Sequence, residues 1–439
     1  MALDLHKRIY SKEVQSSKAG SQVIVAGWAA DAKSLGKIAF IKLRDRAGII
    51  QLVSSDKKII EQASKITNES VIAVEGKVQA SKAKAGGNEI EISKIEVLSL
   101  SDPKLPIDMS GKIETDLSKR LDWRFLDLRS QKHKLIFEIE TEVLAAMREF
   151  CLKEGFFEIC SPKFQGTAAE SGAETFWIDY FGKKATLAQS PQFYKQLGVI
   201  AGFEKVFECA PVFRANPSHT TRHDTEFTSF DIEIGFIKSV DDIISLEERW
   251  LKYILERVKE KFGRQIKEVF GVEIVAPKIP FPRVTMDEAH KIVKSLGGKV
   301  EAGMDLDSEG EKLLSQHILK KFRHEFVFVT PFPWKVRPFY HMRPANNPDV
   351  SLSYDLLYNG LEITTGAQRE HRYEKLMEQV KDKGLNPKSI QWYLDMFRFG
   401  APPHGGFGLS PTRVVMQMLN LGNVREATFV PRDTERLTP

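Results

Sequence analysis

Residues 213–227, FRANPSHTTRHDTEF, gather two arginines, two histidines and a closing phenylalanine within fifteen positions. Arginine's planar fork donates two parallel hydrogen bonds to phosphate oxygens. Arg214, Arg222 and His223 are therefore suited to grip a polyphosphate, and Phe227 offers a flat ring on which a base can stack. The strand that leaves the loop, TEFTSFDIEIGF, alternates in character. Phe230, Ile232, Ile234 and Phe236 fall on one face, and Phe227, Ser229, Asp231 and Glu233 on the other. The first face is expected to be core and the second to face solvent or a cleft, where Asp231 can hold a cationic group such as an α-amino group.

Two further stretches carry chemistry of the same kind. In SLSYDLLYNGLEI, Asn359-Gly360 signals a two-residue hairpin turn that pairs Leu357 with Glu362. Asp355 is then the diagonal neighbour of Glu362, roughly 7–8 Å away, and both carboxylates can serve one Mg²⁺ carried by a nucleotide. In HGGFGLSPTR, residues 404–413, a glycine-rich turn precedes Arg413 and the helical stretch RVVMQMLNL.

The elements that must position these residues divide at about residue 101. Before it, QVIVAGWAAD, KIAFIKLRDR, GIIQLVSS, SVIAVEGKVQAS and NEIEISKIEVLS alternate as strands, with DKKIIEQASKI as a helix among them. Five strands and a helix predict a small closed barrel of oligonucleotide-binding type over 1–102. On KIAFIKLRDR, Phe40, Lys42 and Arg44 share one face, a stacking ring among basic groups. LSDPKLPIDMSGK begins a linker over 103–131. From Lys132 a long amphipathic helix runs to Gly155, and another is expected over 240–262. Strands expected at 206–214, 226–236, 351–358 and 361–365 make 132–439 an α+β domain, an antiparallel sheet flanked by helices.

Composition sets the bounds. The 439 residues are 42% hydrophobic and 28% charged, without a low-complexity run or a repeat, and call for more than one core. A net charge of +5 permits a polyanionic partner without requiring one. Cys151, Cys160 and Cys209 are an odd count without metal-ligand spacing, as in ordinary intracellular thiols. No apolar run reaches the roughly 18–20 residues of a membrane span. The first residues, MALDLHKRIYSKEV, lack an apolar signal core, so a cytoplasmic location is expected.

In order and content these stretches resemble the class II aminoacyl-tRNA synthetases, and within them the aspartyl-tRNA synthetases of archaeal and eukaryotic type. EGFFEICSPKF resembles the first class II motif, VFECAPVFRANPSHTTRHDTEF the second and GGFGLSPTR the third. AESGAE, LAQSPQFYKQ, LEITTGAQREHR, FGAPPHGGFG and the tail PRDTERLTP resemble the aspartyl signatures. The resemblance covers nearly the whole chain. It implies that aspartate attacks the α-phosphorus of ATP to give aspartyl-adenylate, and that the terminal ribose of tRNA-Asp then takes the acyl group. Whether tRNA-Asn is a second acceptor stays open: the family's choice lies partly near Ala30 and in ASKAKAGG, and Ala30 matches neither of the larger residues that would mark it.

Carried over by motif, the resemblance makes Arg214 and Arg413 the catalytic arginines, with Arg214 on the α-phosphate. Arg222, His223 and Arg413 would handle the β- and γ-phosphates, Phe227 would stack under adenine, and Asp355, Glu362 and Thr365 would hold Mg²⁺. Lys195 and Arg369 would clasp the side-chain carboxylate of L-aspartate, with Glu170, Gln192, Asp231 and Thr365 around its amino end. Two buried cations favour a carboxylate, since an amide would leave positive charge unpaired. In the barrel, Phe40 would stack on an anticodon base while Lys33, Gln51 and Glu89 read base edges; Pro162 would lie at a homodimer interface.

Three departures stand out. Asn216 replaces the usual glutamate of the second motif, Ser410-Pro411-Thr412 precedes Arg413 in the third, and Ala169 replaces a serine or threonine. Asn216 is expected to rearrange contacts to the nucleotide, and Ser410 to crowd its base. The alternative reading is a repurposed paralogue, making asparagine or binding RNA without catalysis. The barrel argues against the first, and retention of Lys195, Arg369, Asp355 and Glu362 against the second.

Overall fold

The computed structural model describes residues 2–82, 86–166, 175–217 and 220–439. It divides into two units, Met1–Gln131 and Lys132–Pro439.

In the first unit, β1 (Gln22–Leu35), β2 (Ile38–Asp45), β3 (Gly48–Ser54), β4 (Val71–Ala80) and β5 (Asn88–Ser99) close a barrel in the order β1-β2-β3-β5-β4. Strict alternation does this work: Ala39, Ile41 and Leu43 of β2 are fully buried, and they join Leu52, Val74 and Ile90 in one core. A helix, Lys57–Ala63, follows β3, its N-terminal amides accepted by Asp56. Residues 103–131 are not featureless, since two short helices, Leu117–Asp122 and Arg124–Asp127, lie there.

The second unit is an eight-stranded sheet. Its strands run in the order Arg283–Val284, Phe326–Val329, Ser353–Tyr358, Leu361–Gln368, His404–Leu409, Glu226–Gly235, Lys205–Phe213, Phe157–Glu158. All neighbours are antiparallel except the pair at each edge. One face packs on two long helices, Gln131–Lys153 and Val240–Phe270; Phe207, Phe230, Ile232, Phe328, Tyr354 and Leu356 meet Ile139, Val143, Trp250 and Leu251 there. The second helix is capped by Ser239 and stopped by Gly271 at φ 70°. It runs past the expected residue 262 because Gly263 weakens a helix without breaking it.

The opposite face of the sheet carries Ser229, Asp231 and Glu233, and this face is not open to solvent: Asp231 and Glu233 are buried. Phe236, expected in the core, is 67% exposed, because the strand ends at Gly235 and Phe236 turns out at φ 57°. The hairpin at 359–360 forms as the dipeptide predicts, both residues at positive φ. Leu357 pairs with Glu362, but a bulge beside Leu356 then sets Asp355 opposite Thr365.

Close backbone approach dictates Gly406. A Cβ there would meet the Ile232 carbonyl, the Glu233 carboxylate and, at 2.8 Å, the Glu233 Cα. Since the obstacle is largely backbone in a close-packed sheet, Gly406→Ala is expected to destabilise this unit by about 3 kcal/mol, read as a lowered urea midpoint.

Candidate active site

The sheet's polar face floors a cavity of about 700 Å³. One part is lined by Arg214, Asn216, Arg222, His223, Phe227, Glu362 and Arg413, another by Gln192, Lys195, Asp231, Thr365 and Arg369. The expected polyphosphate and amino-acid groups, drawn from stretches more than two hundred residues apart, thus border one space. Glu170 lies outside the described residues.

Each wall is held by local chemistry. Loop 213–225 is closed at its base by the Arg214 amide donating to Thr225 O (2.9 Å). The C-terminal tail ties down its far side, the Thr225 amide donating to Arg432 O and the Val424 amide to Thr221 O (both 2.8 Å). Arg214 is exposed, with its guanidinium carbon 5.3 Å from the centre of the Phe227 ring. Burial pushes the His223 imidazole down to about 4, helped by Arg413, Arg222 and Arg214 against Glu362, so it is neutral at pH 7. Arg413 donates to the Glu362 carbonyl (2.9 Å) and the Arg222 carbonyl (3.3 Å). Ser410 caps the helix Pro411–Met418 by accepting from the Arg413 amide, and Pro411 occupies its first turn. The serine that departs from the motif therefore starts the helix that carries Arg413.

Deeper in, Lys195 is only 1% exposed, its Nζ donating to Asp231 Oδ1 (3.0 Å) and Phe407 O (3.1 Å) and standing 3.4 Å from Glu233 Oε2. Arg369 forks onto both Glu233 oxygens (2.9 and 3.2 Å) and donates to Gly406 O (2.9 Å). Burial pushes Glu233 up, but Arg369 and Lys195 more than offset it and hold it below the usual carboxylate range. The expectation that an amide ligand would leave these cations unpaired is thereby corrected: Asp231 and Glu233 already balance Lys195 and Arg369. Beside them, fully buried His404 accepts from Gln196 Nε2 (2.8 Å), and Tyr393 donates to Gln196 Oε1 (2.9 Å). Gln192 Nε2 and His341 Nδ1, both buried on residues lining the cavity, have no hydrogen-bond partner among the described residues.

Asp355 lines a smaller neighbouring cavity with Asp305, Glu311 and Glu362, the last bordering both spaces. Asp355 Oδ2 is paired with Arg337 at 2.6 Å, while Oδ1 is buried without a partner among the described residues. Burial pushes Asp355 up to about 8, with Arg337 opposing and Glu362 and Asp305 adding to the rise. Thr365 donates to Glu362 Oε1 at 3.0 Å. Among the described residues no group of three or more His, Cys, Asp or Glu is disposed to hold a metal by itself.

On the barrel, Lys33 pairs in register with Phe40, and Lys42 with Gln51. Gln51 and Gln79 donate to opposite oxygens of Glu89 (2.7 and 3.0 Å), and Ser81 donates to it at 2.9 Å. Lys33, Phe40, Gln51 and Glu89 are thus brought together across four strands. Arg44 does not belong to it: it is buried against Glu69, which also accepts from Arg129 at 3.0 Å. Pro162 is exposed between Phe157 and Phe164, 54% and 57% exposed, and the Phe157 ring meets that of Phe203, 47% exposed, edge-on.

Sequence reasoning singled out neither Glu233, Glu311 nor Arg337. Glu233 was legible as a polar position on the cleft face, but its partner lies 136 residues away.

Comparisons with known proteins bear on the whole chain. Residues 116–434 match a family described as tRNA synthetases class II (D, K and N), and residues 23–98 match an OB-fold nucleic acid binding domain. An aspartate–tRNA(Asp/Asn) ligase of Aeropyrum pernix is 46% identical, with 98% of each chain covered. An aspartate–tRNA(Asp) ligase of Pyrococcus furiosus is 45% identical, covering 98% of this chain and 99% of the relative. The solved structure of asparaginyl-tRNA synthetase from Pyrococcus horikoshii complexed with asparaginyl-adenylate aligns with a TM-score of 0.90 at 33% identity, covering 98% and 99% of the two chains.

Proposed function

The chain belongs to the class II tRNA synthetases of the aspartate, lysine and asparagine group, and from that membership we propose that it is an aspartate–tRNA ligase. The observation that carries this reading is the single cavity bordered by Arg214, Arg222, His223, Phe227 and Arg413 on one side and by Lys195, Asp231 and Arg369 on the other. Relatives 42–46% identical along nearly their whole length bear aspartate-ligase names, whereas the asparaginyl enzyme of similar shape is 33% identical.

The chemistry asks the protein mostly for position and charge. Lys195 and Arg369, oriented by Glu233, take the side-chain carboxylate of aspartate, and Asp231 and Gln192 face its amino group. An α-carboxylate oxygen then forms a bond to the α-phosphorus of ATP as the bond to pyrophosphate breaks. Arg214 neutralises charge developing at the α-phosphate; Arg222, His223 and Arg413 hold the departing phosphates, and Phe227 supports adenine. In the second step a ribose hydroxyl of the tRNA terminus takes the acyl group and AMP leaves. Asp355, with its unpartnered buried oxygen, and Glu362 are the hard oxygen donors Mg²⁺ takes, alongside Thr365. Bound there, Mg²⁺ would offset the charge of the phosphates.

Phe40, Lys33, Gln51 and Glu89 form the anticodon-reading surface of tRNA-Asp. The exposed apolar side chains near Pro162 are the face of a homodimer. No helix among the described residues is long and apolar enough to cross a membrane, which fits the cytoplasmic location we infer.

His223 supplies a pH-linked check. Nucleotide phosphates offset Arg413, Arg222 and Arg214, so ATP binding should raise the imidazole from about 4 toward its ordinary value near 6.5. The complex then holds more protons than its separate parts between those limits. Calorimetry near pH 5.5, in two buffers of different ionisation enthalpy, should show proton uptake that falls in His223→Asn.

The function itself is tested by charging purified tRNA-Asp and tRNA-Asn with labelled aspartate and asparagine. Aspartate on tRNA-Asp is expected, and loading of tRNA-Asn would mark a second acceptor. No aspartate on any tRNA would overturn the reading.

A further inference from the structure

Arg222 does not reach into the cavity unsupported. Its Nη1 donates to Glu311 Oε2 at 2.7 Å, across 89 residues of sequence. Glu311 is 5% exposed and sits in the first turn of the helix Ser308–Phe322, where the positive end of the helix dipole favours a carboxylate. Asp307 caps that helix by accepting from the Gly310 amide (2.8 Å), so the turn presenting Glu311 is itself fixed. The Glu311 oxygen that accepts from Arg222 also lies 3.4 Å from the Glu362 amide, spanning the loop and the strand that carries Glu362. Glu311 borders the smaller cavity, Arg222 the large one, and Glu362 both.

A guanidinium has five N–H donors, and the bond to Glu311 uses one. Among the described residues the rest meet no partner and can serve a ligand, with the plane of the fork set by its anchor. Without that anchor Arg222 would be a long, freely rotating side chain on a surface loop, and ordering it would weaken every phosphate contact it makes. We propose that Glu311 is the positioning residue for Arg222, holding its fork toward the place where the distal phosphates of a nucleotide lie. This rests on Arg222 being a phosphate-binding residue, as argued above.

The test is calorimetric ATP affinity, with Mg²⁺ present, for the full-length wild type, Glu311→Gln, Arg222→Ala and the double variant. A lost charge-assisted anchor should weaken ATP about tenfold in Glu311→Gln. In the Arg222→Ala background the same change should add less than about twofold, because its effect runs through Arg222. Aspartate affinity should stay within about twofold of wild type in Glu311→Gln. An unchanged ATP affinity, an equal loss in both backgrounds, or parallel losses of ATP and aspartate binding with a lowered melting temperature would each overturn the assignment. Pyrophosphate exchange by the wild type separates this outcome from the wider reading. Absence of aspartate-dependent exchange would sink the ligase function, whereas exchange with normal ATP binding by Glu311→Gln would sink only the role of Glu311.

Discussion

Glu233→Gln is expected to destabilise the Lys132–Pro439 unit by about 3–5 kcal/mol, the cost of leaving a buried charge without its partner. Glu233 is completely buried and serves two cations, Arg369 through both oxygens and Lys195 at 3.4 Å. The substitution keeps the shape and removes the charge, leaving Asp231, beside Lys195, to balance both cations among the described residues. Urea unfolding should show the loss directly. Saturating aspartate should recover part of it, because the substrate carboxylate returns a negative charge to the cluster; asparagine should recover less. A variant as stable as the wild type, or one rescued equally by both amino acids, would show that these four groups do not form one electrostatic unit.

Arg214→Ala should behave in the opposite way, leaving stability nearly untouched and removing catalysis. Arg214 is exposed, and its side chain lies over Phe227 without, among the described residues, a buried partner to orphan. On the proposed reading its part is confined to charge that develops at the α-phosphate, and deleting one such preorganised donor is expected to lower kcat by about 10²–10³-fold. Aspartate-dependent pyrophosphate exchange should fall by that factor while the aspartate KM barely moves. A loss smaller than about tenfold would reassign Arg214 to ground-state binding.

Period-two and period-3.6 patterns made much of this molecule legible. The five barrel strands, both long helices and the hairpin at Asn359-Gly360 follow from alternation, caps and turn chemistry that act within a few residues. The same reasoning separated the two faces of Glu226–Gly235 and so found the cleft side of the sheet. It could not name partners. Arg44 reads as an outward basic group on β2, yet Glu69, twenty-five residues on, buries it. The bulge that sets Asp355 opposite Thr365 shifts a register that the turn alone had fixed. Glu311 reaches Arg222 from a helix whose sequence carries no sign of the loop it meets.

The preference for aspartate needs a different argument from the one the sequence invited. Lys195 and Arg369 are not bare cations awaiting a carboxylate, since Asp231 and Glu233 already balance them. Arg337 in the same cavity is likewise paired, with Asp355, but Lys335 and Lys383 line it too and add positive charge. A carboxylate therefore gains from the field of the whole cavity, which an amide does not.

ATP–pyrophosphate exchange, with aspartate as substrate and asparagine as control, tests this account most directly. Exchange that depends on aspartate and is absent with asparagine is the predicted result, and it would mean that Asn216 and Ser410 leave the site working. Exchange with asparagine instead, or none with either amino acid from folded protein, would contradict it.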